Sequence, residues 1–349
     1  MNHICHVNLA SGYHGGENQT LQLIKQQIKM GYQLTVVANP NSPFFHKVSE
    51  LPCRVVACKH YLLQHAKSVT QGCSLIHVHE GRAIYWAWLQ NKLHNIPYIV
   101  TRRIDNPLKK KWLANQAYSN ASALVGLSNM IASRIQAAYP NKMLEIIPSS
   151  PVTYPVNEEN VKLIKQQFTG RFLIIHAANM LKHKGFDVTL AAAKQLQESG
   201  SPVHFALLGD GKERTALELQ AKSLSNVTFM GKQSNMGDWF AAADLLIHPS
   251  YSEGLGSVIL EAMGSGLPVI GTNAGGIPDI IENNHSGLLI EPGDAHSLAN
   301  AITKIRTDEQ LREKLSTGRQ QKLTTFLIEY TALRYQELYS RVAADSSNQ

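Results

Sequence analysis

Short apolar runs rich in β-branched residues alternate with stretches of helical periodicity along the whole chain. Eleven of these runs have the length of a strand: HICHVNLA, QLTVVA, LIHVH, PYIVT, SALVGLS and KMLEIIPSS in the first half, then RFLIIHAAN, VHFALLGD, NVTFMG, DLLIHPS and LPVIGT. Continuous apolar runs separated by helices are typical of parallel strands that are buried on both faces. The pattern therefore predicts an α/β protein built from doubly wound parallel sheets.

A proline-rich segment divides the chain into two parts. The stretch PSSPVTYPVNEEN, at residues 148–160, interrupts both periodicities, and 349 residues are too many for one ordinary core. We expect one Rossmann-like domain over residues 1–150, a second over 151–330, and a C-terminal helix and tail over 331–349 that pack back toward the first. Because ligands bind beyond the carboxyl ends of such strands, we expect the two domains to face each other across a cleft.

The basic residues are concentrated in the first half of the chain. Residues 1–150 contain 15 Lys and Arg against 5 Asp and Glu, whereas the remainder contains 18 against 21. A basic half attracts anionic partners through its summed field. The cluster PLKKKW at residues 107–112 has the composition of a segment that binds a membrane surface, and no nucleic-acid-binding module is recognisable.

Other features of composition predict a reduced cytosolic protein, peripheral to the inner face of the cytoplasmic membrane. No apolar run is long enough to cross a bilayer, and the first residues lack the plan of a secretion signal. The four cysteines form no CxxC pair.

The stretch HPSYSEGLGSVILEAMGSGLPVIGTNAGGIPD contains two carboxylates, Glu253 and Glu261, with no basic residue near them in the sequence. It reads as a strand, a glycine-containing turn and a helix, with Glu261 about two helical turns in. The backbone amides at the helix start would bind an anion such as a diphosphate, and each carboxylate would accept hydrogen bonds from hydroxyl groups at one end of it. We expect that neither carboxylate is buried in an internal ion pair. The alternative is that Glu253 only caps the helix and Glu261 is only solvated.

The segment EGLGSVILE has the Glu-x7-Glu spacing, flanked by HPS before it and by EAMGSGLPVIGTNAGGIPDII after it. In these features the chain resembles the retaining glycosyltransferases of family 4, which have the GT-B fold. The resemblance covers nearly the whole chain and is strongest over residues 203–294. It implies that Glu261 binds the ribose of a nucleotide-sugar donor and that Glu253 contacts the transferred sugar.

The resemblance also implies further donor-binding residues. HAANMLKHKGFD contains the family's Lys-Gly pair at Lys184, with Asn179 where an arginine is common and Lys182 as a second charge. Lys184 would stabilise the leaving diphosphate and, with Glu253, is expected to be catalytic. The expected donor-binding set is Gly15, Gly16, Asn179, Lys182, Lys184, Gly209, Phe229, Met230, Gly231, Glu253, Gly254, Leu255, Gly256, Ser257 and Glu261. Solvated lysines and ordinary glycine turns are the alternative reading.

Two further patterns lie in the first half. TRRID follows a strand where many family members have a histidine, and we expect Arg102, Arg103 and Asp105 to bind an anionic acceptor. The alternative is a surface charge cluster. His77 and His79 lie on one side of a strand end, but no nearby Asp or third His completes a metal site. The chain also lacks the DxD carboxylate pair of metal-dependent sugar transferases, so no metal or other cofactor is expected.

The sequence thus predicts a GT-B enzyme that transfers a hexose or heptose from a nucleotide-diphosphate sugar, with retention and without a metal. The expected acceptor is the lipopolysaccharide core or another lipid-linked anionic glycan. Two alternatives stay open: a nucleotide-sugar 2-epimerase of the same fold, and a two-domain sugar-binding protein without catalysis.

Overall fold

The computed structural model describes residues 3–103 and 111–347. The chain forms two compact units. The first comprises residues 1–150 and 326–349, and the second comprises residues 151–325. The second unit therefore ends at residue 325, where the sequence had suggested 330.

The first unit is built on a parallel sheet of seven strands. In chain order they are β1 (His3–Asn8), β2 (Gln33–Ala38), β3 (Arg54–Ala57), β4 (Leu75–Val78), β5 (Tyr98–Arg102), β6 (Ala123–Gly126) and β7 (Met143–Ile146). Their order in the sheet is β3-β2-β1-β4-β5-β6-β7. All strands are parallel, and the direction in which successive strands are added to the sheet reverses between β1 and β4. This is the doubly wound order, in which ligands bind where the neighbouring strands diverge.

Five helices connect these strands: α1 (Gly15–Lys29), α2 (Pro43–Ser49), α3 (Ala83–His94), α4 (Trp112–Ser119) and α5 (Asn129–Ala138). Their ends follow local signals. Ser42 accepts a hydrogen bond from the Phe45 amide at the start of α2, where proline occupies the first turn. Helix α1 begins at Gly15, so both glycines of the expected donor-binding set lie in its first turn.

The second unit contains a parallel sheet of six strands. They are β8 (Phe172–Ala177), β9 (Val203–Leu208), β10 (Val227–Gly231), β11 (Leu245–His248), β12 (Val269–Thr272) and β13 (Leu288–Ile290). Their order, β10-β9-β8-β11-β12-β13, places the reversal between β8 and β11. Both sheets are therefore doubly wound, which confirms the predicted fold class.

Eight helices belong to the second unit within the described residues: α6 (Glu158–Gln167), α7 (Phe186–Glu198), α8 (Arg214–Gln220), α9 (Met236–Ala242), α10 (Ser257–Gly264), α11 (Ile277–Ile280), α12 (Ala295–Thr307) and α13 (Glu309–Leu323). Carboxylates cap two of them. Asp294 accepts from the Ser297 amide at α12, and Asp308 accepts from the Leu311 amide at α13.

The last helix, α14 (Ile328–Ser347), contributes to the core of the first unit. Tyr335, Leu338, Tyr339 and Val342 are all buried in that core. Both tyrosine hydroxyls are hydrogen-bonded there, Tyr335 to Thr101 and Tyr339 to Gln27 and His77. No helix in residues 3–103 or 111–347 is long and apolar enough to cross a membrane.

Candidate active site

Two loops at the carboxyl ends of neighbouring strands meet in the second unit. Strands β8 and β11 pair directly, and the loops that follow them carry Lys184 and Glu253. Lys184 Nζ lies 2.5 Å from Glu253 Oε2, and both side chains remain about one-sixth exposed. The two residues proposed as catalytic thus come together where β8 and β11 diverge.

The loops are in close contact because one position between them has no side chain. Gly185 has a φ of +73°, and a Cβ there would collide with the carbonyl oxygen of Pro249. The Tyr251 amide donates to the His183 carbonyl across the same contact at 2.9 Å. The family's Lys-Gly pair therefore has a structural reason, since glycine alone permits both the backbone conformation and the approach.

Histidine and lysine both hold the Glu253 carboxylate. His248 Nε2 lies 2.9 Å from Glu253 Oε2, and Ser250 contacts the same ring nitrogen at 3.1 Å. Burial alone would raise the pKa of Glu253, but His248 and Lys184 outweigh it and lower the pKa to about 2. Glu253 is therefore ionised at any physiological pH.

This arrangement corrects the expectation that Glu253 is not taken up in an ion pair. Lys184 lies 69 residues earlier in the chain, so only the adjacency of β8 and β11 reveals it as a partner. The pair is partly exposed rather than sealed in the core. It leaves the carboxylate and the ammonium side by side, where one ligand can reach both.

The helix after Glu253 begins later than the sequence suggested. Helix α10 starts at Ser257 behind Gly256, whose φ is +94°, and no side chain caps it. The four amides expected to face an anion are not equivalent, because the Gly254 amide donates to Glu253 Oε1 at 3.2 Å and Leu255 is buried. Gly256 and Ser257 are the members of this set at the helix start itself.

Glu261 lies one turn into α10 and lines a cavity of about 510 Å³ in the second unit. Burial raises the pKa of Glu261 to about 7, and a hydrogen bond from Tyr154 offsets part of that rise. Glu261 is thus not an ordinary solvated helix residue. Its carboxyl group changes charge near neutral pH and is available to ligand hydroxyls in the cavity.

The cavity includes several of the donor-binding residues expected from the sequence. Asn179 and Gly209 line it with Glu261, together with Asp210, Lys232 and Gln233, which were not in the expected donor-binding set. Gly209 has a φ of +138°, and a Cβ there would collide with the Ala178 carbonyl oxygen. These residues follow β8, β9 and β10 at one edge of the sheet.

The remaining donor-binding residues expected in the second unit lie near this edge but not in the cavity lining. Phe229, Met230 and Gly231 end strand β10, where Phe229 packs on the core and Gly231 accepts from the Gly209 amide at 2.8 Å. The Met230 carbonyl accepts from Gln233 at 2.6 Å. Lys182 is exposed in the short 3₁₀ turn that contains Lys184.

A second cavity, of about 340 Å³, lies within the first unit at the ends of β4 and β5. Arg102, Arg103 and Gly16 line it, as do Glu17, His79 and Tyr118. Gly15 starts α1 beside Gly16, and Asp105 and residues 107–110 of the basic cluster lie outside the described residues. The structure thus brings two expected acceptor-binding arginines together with one glycine that had been assigned to the donor.

Arg103 lines this cavity and is hydrogen-bonded to the first unit. Its Nη1 donates to Ser149 at 3.3 Å, while its Nε is sealed from solvent and has no hydrogen-bond partner among the described residues. Burial lowers the pKa of Arg103, and Tyr335 and Glu17 act in the opposite direction. Arg102 donates to the Tyr118 hydroxyl at 3.4 Å.

The structure adds a third histidine to His77 and His79, contrary to the expectation that none lies near. His6 in β1 pairs in register with His77 in β4, and the three side chains form a buried cluster. Both nitrogens of His6 and both of His77 have hydrogen-bond partners, and the ring centroids of His77 and His79 lie 3.9 Å apart with an angle of 37° between the ring planes. One ring nitrogen of each histidine lies within 4.8 Å of the others, which is a spacing that could hold a metal ion, although five of the six ring nitrogens already have hydrogen-bond partners.

Two family models match most of the chain. The model described as Glycosyltransferase Family 4 matches residues 13–150, and the model described as Glycosyl transferases group 1 matches residues 158–322. The first match lies within the first unit and the second within the second unit.

Curated relatives agree with these models. The chain is 34% identical to N-acetyl-alpha-D-glucosaminyl L-malate synthase of Bacillus anthracis over 50% of the chain and 47% of that protein. It is 29% identical to the lipopolysaccharide core biosynthesis glycosyltransferase LpsD of Rhizobium meliloti over 65% of the chain and 66% of that protein. The alignments therefore span between about half and two-thirds of these two relatives.

A solved structure shares the whole fold. HepE of Anabaena, crystallised in complex with UDP and glucose, matches 98% of this chain and 100% of its own with a TM-score of 0.80 at 20% identity. At that identity the likeness shows the fold alone. With the two family models, the relatives and two doubly wound sheets in agreement, the chain belongs to the family 4 glycosyltransferases with the GT-B fold.

Proposed function

We propose that this enzyme transfers a sugar from a nucleotide-diphosphate sugar to a glycan. The observation that carries the proposal is the contact of Lys184 with Glu253 at the diverging ends of β8 and β11. A cation and a carboxylate in one place suit a substrate in which a diphosphate is joined to a hydroxyl-rich ring. The cavity that contains Glu261 lies in the same unit and offers room for the nucleotide.

Charge develops on the diphosphate as the glycosidic bond breaks, and Lys184 is the cation placed to stabilise it. The backbone at the start of α10, around Gly256 and Ser257, adds the positive end of a helix dipole. Glu253, oriented by His248, accepts hydrogen bonds from hydroxyl groups of the transferred sugar. Glu261 accepts from the ribose at the other end of the donor.

We further propose that transfer retains the anomeric configuration through same-face attack, without a covalent intermediate on the protein. A carboxylate with a pKa of about 2, held by Lys184 and His248, is a weak nucleophile, which argues against Glu253 as a covalent group. The anomeric configuration of the product by NMR tests retention. A glycosylated Glu253 in a mass spectrum of the quenched reaction would contradict the proposal.

No metal ion or other cofactor is part of the proposed reaction. Lys184 and the α10 amides take the role that a divalent cation would otherwise have at the diphosphate. We expect the same rate after EDTA treatment as with added Mg²⁺ or Mn²⁺. Loss of activity on chelation that a divalent ion restores would contradict this part.

The donor nucleotide is proposed to be UDP. HepE, which shares the fold, was solved with UDP and with UDP-glucose, and those ligands belong to that protein. A ligand that binds only the folded state raises the melting temperature, so thermal shifts with UDP-, GDP- and ADP-sugars test the assignment. We expect the largest shift with a UDP-sugar, and a smaller one in Glu261→Gln.

The acceptor is proposed to be an anionic lipid-linked glycan, specifically the lipopolysaccharide core, at the inner surface of the cytoplasmic membrane. The excess of basic residues in the first half, with Arg102 and Arg103 lining the first unit's cavity, supports an anionic acceptor. Two relatives in Rhizobium meliloti are named as lipopolysaccharide core glycosyltransferases.

Purified enzyme assayed with lipopolysaccharides truncated at successive core positions tests this acceptor. Transfer to one truncated core is the expected result, and transfer only to a neutral soluble sugar would contradict it. Co-sedimentation with vesicles rich in phosphatidylglycerol, at low and high salt, tests the membrane surface. Conversion of the donor to an epimer without any acceptor would instead favour a 2-epimerase.

A further inference from the structure

One ring nitrogen beside the first unit's cavity is buried without a hydrogen-bond partner. His79 lines the cavity and is 3% exposed. Its Nε2 lies 2.8 Å from His6 Nδ1, whereas its Nδ1 contacts no donor or acceptor among the described residues. Buried polar atoms in folded proteins nearly always have a partner, so an exception at a ligand cavity calls for an explanation.

The protonation of His6 follows from its other neighbour. The amide oxygen of Gln27, Oε1, lies 2.7 Å from His6 Nε2 and can only accept, so His6 Nε2 must be the protonated nitrogen. Burial lowers the pKa of His6 to about 4, so the ring is neutral at pH 7 and carries a single proton. His6 Nδ1 is therefore an acceptor.

The same reasoning fixes the proton of His79. Because His6 Nδ1 accepts, His79 Nε2 must donate to it. Burial, with His77, His6 and Arg103 as neighbours, holds the pKa of His79 well below its usual range. His79 is thus neutral with its proton on Nε2, and Nδ1 carries a bare lone pair.

The far side of the chain of hydrogen bonds is consistent with this assignment. Gln27 Nε2 donates to the Tyr339 hydroxyl at 3.1 Å, and that hydroxyl lies 2.7 Å from His77 Nδ1. His77 Nε2 in turn lies 2.7 Å from Thr101 Oγ1. The hydrogen bonds can therefore all run in one direction. The series begins with donation from His79 to His6 and ends with donation from His77 to Thr101.

Two residues that line the cavity therefore carry one buried acceptor and one buried donor without a partner among the described residues. The acceptor is His79 Nδ1, and the donor is Arg103 Nε, which also lacks a partner among the described residues. A carboxylate or a phosphate dianion would satisfy Arg103 but has no proton for His79. Sugar hydroxyl groups can satisfy both, since a hydroxyl can donate to His79 and a hydroxyl oxygen can accept from Arg103.

We propose that His79 binds a hydroxyl group of the acceptor glycan through Nδ1, while Arg103 Nε donates to another oxygen of the same glycan. This inference rests on the proposed glycosyltransferase function and deepens it. In this arrangement Arg103 binds a neutral hydroxyl group of the acceptor. The anionic part of the acceptor binds Arg102 and the basic surface of the first unit. His6 and Gln27 act as positioning residues, because they set which nitrogen of His79 carries the proton.

A direct test reads the tautomer in the full-length chain. In two-bond ¹H–¹⁵N spectra of protein labelled at histidine, we expect His6 and His79 both to be neutral at pH 7 with the proton on Nε2. Addition of the core oligosaccharide that serves as acceptor should shift His79 Nδ1 and leave His6 Nε2 in place. A His79 protonated on Nδ1, or charged at pH 7, would overturn the inference without any kinetic measurement.

Two substitutions at one position provide a matched kinetic test. His79→Gln keeps a group near Nε2 that can donate to His6 but removes the acceptor at Nδ1, whereas His79→Asn keeps an acceptor near Nδ1 and loses the bond to His6. We expect the KM for the core oligosaccharide to rise about tenfold in His79→Gln and to stay within about threefold in His79→Asn.

The outcomes separate this inference from the proposed function. If the KM for the core oligosaccharide rises equally in both variants and the melting temperature falls with it, His79 only supports the core. That result would overturn the inference. Unchanged acceptor KM in His79→Gln would overturn it as well, while transfer by the enzyme would still stand. If the unsubstituted chain neither transfers sugar nor hydrolyses the donor, the proposed function falls and this inference falls with it.

Discussion

At the scale of single residues, the second unit holds two glutamates whose pKa values move in opposite directions. The pKa of Glu253 is lowered to about 2, since Lys184 and His248 outweigh its burial, whereas the pKa of Glu261 is raised to about 7, since burial dominates there. One carboxylate is permanently charged and the other changes charge near neutrality. Divergent carboxyl groups of this kind are frequent at functional sites.

Replacing Lys184 tests the step at which the diphosphate leaves. Lys184→Met keeps a side chain of similar length but removes the ammonium next to Glu253. We expect kcat to fall by about 10²–10³, as is usual for loss of one group that stabilises developing charge. Initial rates of sugar transfer at saturating donor measure the effect.

Lys194→Met is the matched control, because Lys194 is exposed and its ion pair with Glu198 lies on the surface of α7. It should leave kcat unchanged. A Lys184→Met enzyme with a normal kcat and a raised donor KM would assign Lys184 to ground-state binding instead.

Glu261→Gln should make the folded protein more stable at pH 8 and weaken its binding of the donor. A carboxyl group whose pKa is raised by folding destabilises the folded state as pH rises from about 4.5 through about 7, because the folded state disfavours the charge. Removing that charge should raise the free energy of unfolding at pH 8 by roughly 1–3 kcal/mol. At pH 4.5 the gain should be close to zero.

Urea unfolding at the two pH values measures this difference, with Glu198→Gln on the exposed face of α7 as the control. The same Glu261→Gln variant should bind a UDP-sugar about tenfold more weakly, since an amide is a poorer partner than a carboxylate for two hydroxyls. Equal stability changes at both pH values would contradict the assigned pKa.

The sequence indicated these candidate residues but not their contacts. Glu253 and Glu261 were indicated by the Glu-x7-Glu spacing and Lys184 by the family resemblance, but the pairing of Lys184 with Glu253 depends on which strands are neighbours. The assignment of His79 Nδ1 as a hydrogen-bond acceptor depends on a series of buried hydrogen bonds through His6. Neither contact leaves a local signal in the sequence.

At the scale of elements, all eleven strands expected from apolar runs are present, and two further strands were missed. The missed strands, β3 and β13, lie at the edges of the two sheets. Strand β3 is four residues long and partly exposed, and β13 has only three residues. Edge strands bury fewer side chains than central strands, so their apolar pattern is weaker.

The contact between the β8 and β11 loops can be tested at Gly185. Gly185→Ala forces a Cβ against the Pro249 carbonyl and also strains a φ of +73°. Gly170→Ala is a close control, because Gly170 has a φ of +74° and a Cβ there would meet nothing within 4 Å. The control should lose about 1–2 kcal/mol, the cost of the backbone strain alone.

We expect Gly185→Ala to lose more stability than Gly170→Ala and also to lose donor binding, because the loop that carries Lys184 must move away from Glu253. Urea unfolding and thermal shifts with a UDP-sugar measure the two effects. Equal losses in both variants, with donor binding intact, would show that the loops tolerate separation.

At the scale of the whole molecule, two sheets of the same winding belong to two units with separate cores. The chain enters the second unit after Ser150 and returns to the first unit at Phe326. The predicted linker near residue 150 accounts for one crossing. For the second crossing, the sequence predicted that residues 331–349 pack back toward the first domain but did not locate the return at Phe326. No proline-rich segment marks residue 325, and α13 ends close to it.

The return of the chain makes the first unit depend on its last helix, while the second unit is continuous in sequence. Tyr335, Leu338 and Tyr339 are almost fully buried in the first unit's core, and fully burying one large apolar side chain is worth about 1.5–3 kcal/mol. A chain that stops after Thr325 would lose all three and the hydrogen bonds of Tyr339 to Gln27 and His77. We expect such a truncation to unfold the first unit selectively.

Hydrogen exchange read by mass spectrometry can measure this selectivity, because it reports protection for each strand. In the chain truncated after Thr325, the amides of β1 to β7 should exchange rapidly, whereas those of β8 to β13 should stay protected and gain protection from a UDP-sugar. A chain truncated after Asp345 retains all three buried side chains and serves as the control. Loss of protection throughout both sheets would mean that the second unit's core, although continuous in sequence, does not fold without the first.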